Sequence, residues 1–157
     1  MGTLILMQGL PGSGKSEWVK RFLKKHENEN WVVINKDSIR GMLNPLKWNS
    51  TIELVTKTSK ISMILHAASQ KCNIIIDETH LTKESLENYK THIFPDWFRN
   101  SYNFKVIRVD TPFEICKQRN ALREPRRRVP DARMQQMYET YEKFVPEGFE
   151  LMMVKNI

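Results

Sequence analysis

The chain has 157 residues, 40% of them hydrophobic and 27% charged, with a mean hydropathy of −0.52. A domain of that length buries a core without disulfides or a structural metal, and the composition excludes a disordered, collagen-like or membrane-spanning chain. The net charge is +7, and the stretch 117–133 alone holds seven basic residues against two acidic ones, which points to a phosphate-rich partner or, failing that, to a solvated helix face.

Met1 to Gln8 is short and apolar and lacks a basic flank, so it reads as a strand rather than a signal peptide. Within it Thr3–Met7 is a buried strand, and a glycine-rich turn follows. Glu17–His26 places Trp18, Val19, Phe22 and Leu23 at helical spacing. Trp31–Ile34 is the second apolar run, ending in Asn35-Lys36-Asp37. Ser38–Leu43 reads as a short helix closed by Pro45. Thr51–Ser69 reads as a long one, with Ile52, Val55, Ile61, Met63, Ile64 and Leu65 in the core. Asn73–Asp77 is the third strand, Thr82–Ile93 a helix capped by Thr82, and Phe104–Val109 the fourth strand. Pro112 opens a helix to about Leu122, Arg123–Val129 is a basic loop, Pro130–Phe144 is the last helix and Phe149–Val154 the last strand. Cys72 and Cys116 have no CxxC spacing and read as buried thiols in a reducing compartment. The four histidines lack metal-ligand spacing.

Strands alternating with helices predict one α/β domain over 1–157, a five-stranded parallel sheet with helices on both faces. Ligands bind such sheets off the carboxyl ends of the strands. That directs attention to residues 9–16, 35–40 and 77–80.

Gly9-Leu10-Pro11-Gly12-Ser13-Gly14-Lys15-Ser16 fits G-x-x-x-x-G-K-[ST] between an apolar strand and an amphipathic helix. Successive backbone N–H groups of such a loop form an anion nest at a helix N-terminus. Lys15 is expected to reach the β- and γ-phosphates of ATP, and Ser16 to ligate Mg²⁺. The fold class is therefore that of P-loop NTPases and kinases. Asp37, just past the second strand, is placed to act as a general base on an incoming hydroxyl or else to cap the following helix. Arg40, one helical turn on, would hold an acceptor phosphate or lie on the surface. Two acids, Asp77 and Glu78, end the third strand; one of them, Asp77 in the first instance, would help hold Mg²⁺. Thr79 and His80 follow and would hydrogen-bond the acceptor. Arg119, Arg123, Arg126, Arg127 and Arg128 supply cations that would close over ATP, track a nucleic-acid backbone or remain solvated. Trp31, Trp48, Trp97 and Tyr102 are able to stack on a base, but such residues are ordinarily core or half-buried and none is assigned to the site; of the four, Trp48 lies in a loop.

Gly9–Ser16, Asn35-Lys36-Asp37-Ser38-Ile39-Arg40, Thr79, and Arg119-Asn120 with Arg123 ahead of Val129-Pro130 resemble the kinase domain of bacteriophage-type polynucleotide kinases. The resemblance runs from Leu4 to about Glu142. It implies transfer of the ATP γ-phosphate to 5′-hydroxyl ends of DNA or RNA, with Asp37 as base, Arg40 on the acceptor, and Lys15 and Arg123 stabilising the transition state with Arg119 in support. It implies nucleic-acid partners, no membrane and a cytoplasmic location, that of the host if phage-encoded. The chain departs from the family at Asp77-Glu78-Thr79-His80 and in a longer, more basic lid near 119–130. A small-molecule kinase, acting on a nucleoside, nucleotide or other metabolite, and a nucleic-acid-binding NTPase are the alternative readings.

Overall fold

A computed structural model describes residues 1–155. In chain order the elements are β1 (Gly2–Gln8), α1 (Lys15–Lys25), β2 (Trp31–Ile34), α2 (Lys36–Leu43), α3 (Ser50–Ser69), β3 (Asn73–Ile76) and α4 (Lys83–Glu87). A 3₁₀ turn (Asn88–Lys90), α5 (Asp96–Ser101), β4 (Tyr102–Asp110), α6 (Phe113–Ala121), a second 3₁₀ turn (Pro125–Arg127), α7 (Asp131–Lys143) and β5 (Glu150–Lys155) complete them. The five strands form one parallel sheet in the order β2-β3-β1-β4-β5. The chain leaves β1, passes over β3 to reach β2, returns to β3, and only then crosses to β4. The direction of winding therefore reverses between β1 and β3, and the crevice at their carboxyl ends is where such sheets take ligands.

β1 is central and reads as a continuous apolar run because both its faces are covered. Leu4 and Leu6 join Ile74, Ile76 and Val106 on one face, against Ile39 of α2, Ile64, Ala67 and Ala68 of α3, and Phe98 of α5. Ile5 and Met7 join Ile75, Ile107 and Val109 on the other, against Trp18, Val19, Phe22 and Leu23 of α1. A third cluster of Leu10, Leu81, Cys116, Met134 and Tyr141 packs α6 and α7 close to the glycine-rich turn.

The five expected strands all form, as do five of the six expected helices. Thr82–Ile93, expected as one helix, is not one. Thr82 and Ser85 form a reciprocal cap, but α4 stops at Glu87 and the chain tightens into the 3₁₀ turn before Pro95. Helix α5 has no counterpart in the expected set. It is only six residues long and is held by stacking, the rings of Tyr89, Phe94, Phe98 and Tyr102 following one another at 5.7, 4.9 and 5.0 Å. In α3 the expected core residues Val55 and Met63 are exposed, while Thr56, Ala67 and Ala68 face inward. Cys116 is buried as expected and Cys72 only half-buried; both are free thiols. Among the described residues no helix is long and apolar enough to cross a membrane.

Candidate active site

The turn between β1 and α1 wraps around the N-terminus of α1. Gly12 and Gly14 have φ of 80° and 99°, a region costly for any residue with a Cβ. A Cβ on Gly12 would also come within 2.7 Å of the Cys116 carbonyl oxygen, so glycine is required there on two counts. The loop is braced from both flanks. Gly9 N–H donates to the Thr79 carbonyl at 3.1 Å, and the Thr111 hydroxyl donates to the Ser13 carbonyl at 2.6 Å. Arg119 Nη1 donates to the Gly12 carbonyl at 3.2 Å.

Lys15 is buried at the centre of this turn, its ammonium donating to the Gly9 and Leu10 carbonyls at 3.0 and 2.8 Å. Burial brings its pKa down to about 8, with Arg123 adding to the effect and Asp77 and Asp37 opposing it. Ser16 Oγ donates to Asp77 Oδ2 at 2.8 Å. A hydroxyl and a carboxylate side by side at the foot of an anion nest suit Mg²⁺, which prefers few protein oxygens and completes its shell with water and phosphate. No cluster of three or more His, Cys, Asp and Glu side chains suited to a metal occurs among the described residues.

The two acids at the end of β3 part company. Asp77 is buried and turned to Ser16. Glu78 turns the other way, its carboxylate 2.9 Å from Lys60 Nζ of α3 and accepting the Lys36 N–H at 3.3 Å. His80 departs from expectation. Its φ of 44° carries the ring into the core, where Nδ1 lies 2.6 Å from the Met7 carbonyl and Nε2 3.0 Å from Tyr89 Oη. Burial lowers its pKa to about 4, so the ring is neutral and internal, and the expected side-chain contact with an acceptor is corrected to a structural one. Thr79 lies on the cleft wall, which His80 also borders.

Asp37 does not cap α2. Asn35 does, accepting the Ser38 N–H at 3.1 Å, while its amide donates to the Asp77 carbonyl. Asp37 therefore stands free of the cap in the first turn of α2, exposed on the wall of a cleft of about 1010 Å³ that also holds Lys15, Ser16, Asp77, Thr79 and Arg123. Arg40 hydrogen-bonds Asp37 Oδ1 and, through Nε and Nη2, both oxygens of Glu53 at 2.9 and 3.3 Å. Burial works against the Glu53 charge, yet the bonds from Arg40 and Trp48 outweigh it and hold its carboxyl below the ordinary range. Arg40, expected to grip an acceptor phosphate, is engaged by two carboxylates and holds Asp37 in place. Sequence reasoning missed Glu53; its signal was an acid in the first turn of α3 after an Asn cap, which marks a helix start but not a partner.

Arg123 projects from the lid into the same cleft, half-buried, its pKa lowered by burial and by Arg127 while Asp37 opposes. Arg126 Nη1 reaches across to the Pro45 carbonyl at 2.8 Å. Asn120 fastens the far end of the lid through two hydrogen bonds to the Val129 backbone, at 2.7 and 3.0 Å. One cleft thus joins an anion nest, a hydroxyl–carboxylate pair, a carboxylate on the opposite wall and lid arginines. That set can bind a polyphosphate and deprotonate an alcohol beside it.

A family profile described as an AAA domain matches residues 4–144. The L-seryl-tRNA(Sec) kinase of Methanococcus maripaludis is 26% identical over 144 residues, a match covering 88% of this chain and 52% of that protein. A chain in the structure of the Pnkp1/Rnl/Hen1 RNA repair complex is 25% identical with a TM-score of 0.70, over 92% of this chain and 46% of that one. A sugar kinase from Janibacter sp. HTCC2649 shares the fold at 15% identity and a TM-score of 0.62, over 99% and 86% of the two chains. The chain spans about half the length of the first two relatives.

Proposed function

The chain belongs to the AAA domain family, and from that premise we propose that it is a P-loop kinase that transfers the γ-phosphoryl group of ATP to a 5′-hydroxyl end of DNA or RNA. The observation that carries the proposal is Asp37, freed from capping by Asn35 and facing Lys15, Ser16 and Asp77 across one cleft. Two relatives act on or assemble around RNA by name, the seryl-tRNA kinase and the RNA repair complex, and both favour a hydroxyl carried on a nucleic acid.

The loop amides and Lys15 hold the triphosphate, and Arg119 and Arg123 flank it from the lid side. Ser16 and Asp77 would hold Mg²⁺, which would supply neutralisation of the phosphate charge. Arg40 engages Asp37 Oδ1, so Oδ2 accepts the proton of the hydroxyl. The hydroxyl oxygen bonds to the γ-phosphorus as the bond to the β–γ bridging oxygen breaks. The bridging oxygen leaves on ADP with the electron pair, and Asp37 keeps the proton until solvent takes it. The rest of the rate comes from positioning and charge, since phosphoryl transfer asks little covalent chemistry of a protein.

A small-molecule acceptor is the second reading, favoured by the likeness in fold to the sugar kinase. Transfer of label from γ-labelled ATP to 5′-hydroxyl DNA, RNA and free nucleosides separates the two. Asp37→Asn is expected to lower kcat on oligonucleotides at least about 100-fold, with the Kd for ATP little changed. Parental rates in that variant would remove Asp37 as the base. Label on free nucleosides only would favour the second reading, and phosphate release with no labelled acceptor would make the protein an NTPase.

A further inference from the structure

A second cleft, of about 760 Å³, opens beside the first and meets it at Asp37, Arg40 and Arg127, which line both. One wall is α2 with the loop 44–48; the other is the lid. The transfer step uses none of this space. Lys47, Arg126, Arg127 and Arg128 line it against Asp37, already paired with Arg40, and Glu124. The cleft is therefore cationic, and it begins at the residue that receives the acceptor hydroxyl. On its wall the Trp48 indole is 63% exposed, yet its Nε1 donates to Glu53 Oε2 at 3.2 Å, which fixes the ring plane while leaving a face open. Arg126, bonded to the Pro45 carbonyl, ties the two walls together.

Cations along a groove with an aromatic face between them are how proteins hold single-stranded nucleic acid without reading its sequence. We propose that this cleft is a strand-tracking subsite for the acceptor. It takes the nucleotides on the 3′ side of the terminal one, their phosphodiesters meeting Lys47, Arg127 and Arg128 and a base stacking on Trp48. The inference rests on the reading of Asp37 as the base and deepens it: the acceptor is a single strand, not a nucleoside. Compared with an acidic or apolar peptide, a strand alone satisfies both these three cations and the indole.

Two measurements test it on the intact chain. The first is fluorescence anisotropy of a 3′-labelled single-stranded hexanucleotide bearing a 5′-hydroxyl. Trp48→Ala and Lys47→Glu are each expected to weaken its binding about tenfold or more, whereas Trp48→Phe, which keeps an aromatic face, stays within about threefold of the parent. The second is the ratio of kcat/KM for the hexanucleotide to that for a nucleoside 3′-monophosphate. It should favour the longer acceptor in the parent and collapse toward one in Trp48→Ala and Lys47→Glu. Both side chains are exposed, and a thermal melt establishes that the variants fold. Parental hexanucleotide binding in both variants, or a ratio near one in the parent, overturns the subsite. If no acceptor is phosphorylated but hexanucleotide binding still depends on Trp48 and Lys47, the kinase reading falls and the strand-binding cleft stands.

Discussion

The Lys15 ammonium sits at the hub of the phosphate loop with its pKa brought down to about 8 by burial. An unfolded lysine titrates near its ordinary 10.5. Below about pH 8 both states are protonated, and the folded state bears the whole cost of burying the charge, about 3 kcal/mol. Between about 8 and 10.5 the unfolded chain binds the extra proton, so stability rises with pH. Lys15→Met removes that slope. Its melting temperature relative to the parent should therefore be most favourable at pH 7 and fall steadily from pH 8 to 10.5; a difference that does not vary with pH would rule this out. At this scale the sequence is most legible where chemistry demands particular atoms. Gly12, Gly14, Lys15 and Ser16 follow from what a phosphate cradle requires. His80 was misread because the direction of its ring depends on a φ of 44°, which no local pattern announces. Asn35, three residues before Ser38, carries the ordinary spacing of a helix cap and was open to recognition.

Helix α2 has eight residues, too few to persist on its own. What holds its first turn, and with it Asp37, comes from the loop after β3: the Asp77 carbonyl takes the Asn35 amide and the Glu78 carboxylate takes the Lys36 N–H. Glu78 is held in turn by Lys60 of α3, whose ammonium also donates to Tyr89 Oη at 2.6 Å. The wall bearing Asp37 and the acid beside Ser16 are thus built on one brace. Removing Glu78 alone leaves the half-buried Lys60 charge with only the Tyr89 hydroxyl for a partner, so Glu78→Ala should cost about 2–3 kcal/mol in urea unfolding. The paired change Glu78→Leu with Lys60→Met removes both charges and should return stability to within about 2 kcal/mol of the parent. If the brace positions α2, the paired variant will still show kcat lowered about tenfold with the KM for ATP held; a parental kcat would make Glu78 a stabilising residue only. Elements that bury a long apolar run, such as β1 and β3, could be read to within a residue or two. Helix α5 could not, because six residues between Pro95 and β4 are too few to display a helical period.

Over the whole molecule, residues 9–16, 35–37, 77–79 and 119–129 gather at the carboxyl ends of the strands because every strand is parallel and each crossover helix returns the chain to the same side. That much follows from alternating strands and helices. The meeting of the loop 44–48 with the lid does not, since it depends on how α2, α3 and α6 pack. The meeting is what gives the charge of +7 a direction, placing Lys47, Arg126, Arg127 and Arg128 around one cleft that opens from Asp37. A strand held there by three or four phosphates releases the counterions it brought, and for single strands each contact contributes about −0.7 to the slope of log affinity against log salt. We expect hexanucleotide binding between 50 and 300 mM potassium chloride to follow a slope of roughly −2 to −3. Lys47→Glu should make the slope shallower by about one contact's share. The affinity for a nucleoside 3′-monophosphate, which ends at the first cleft, should change far less over the same range. A shallow, equal dependence for both would mean that the basic surplus faces solvent, and that the acceptor is recognised at Asp37 and its immediate neighbours alone.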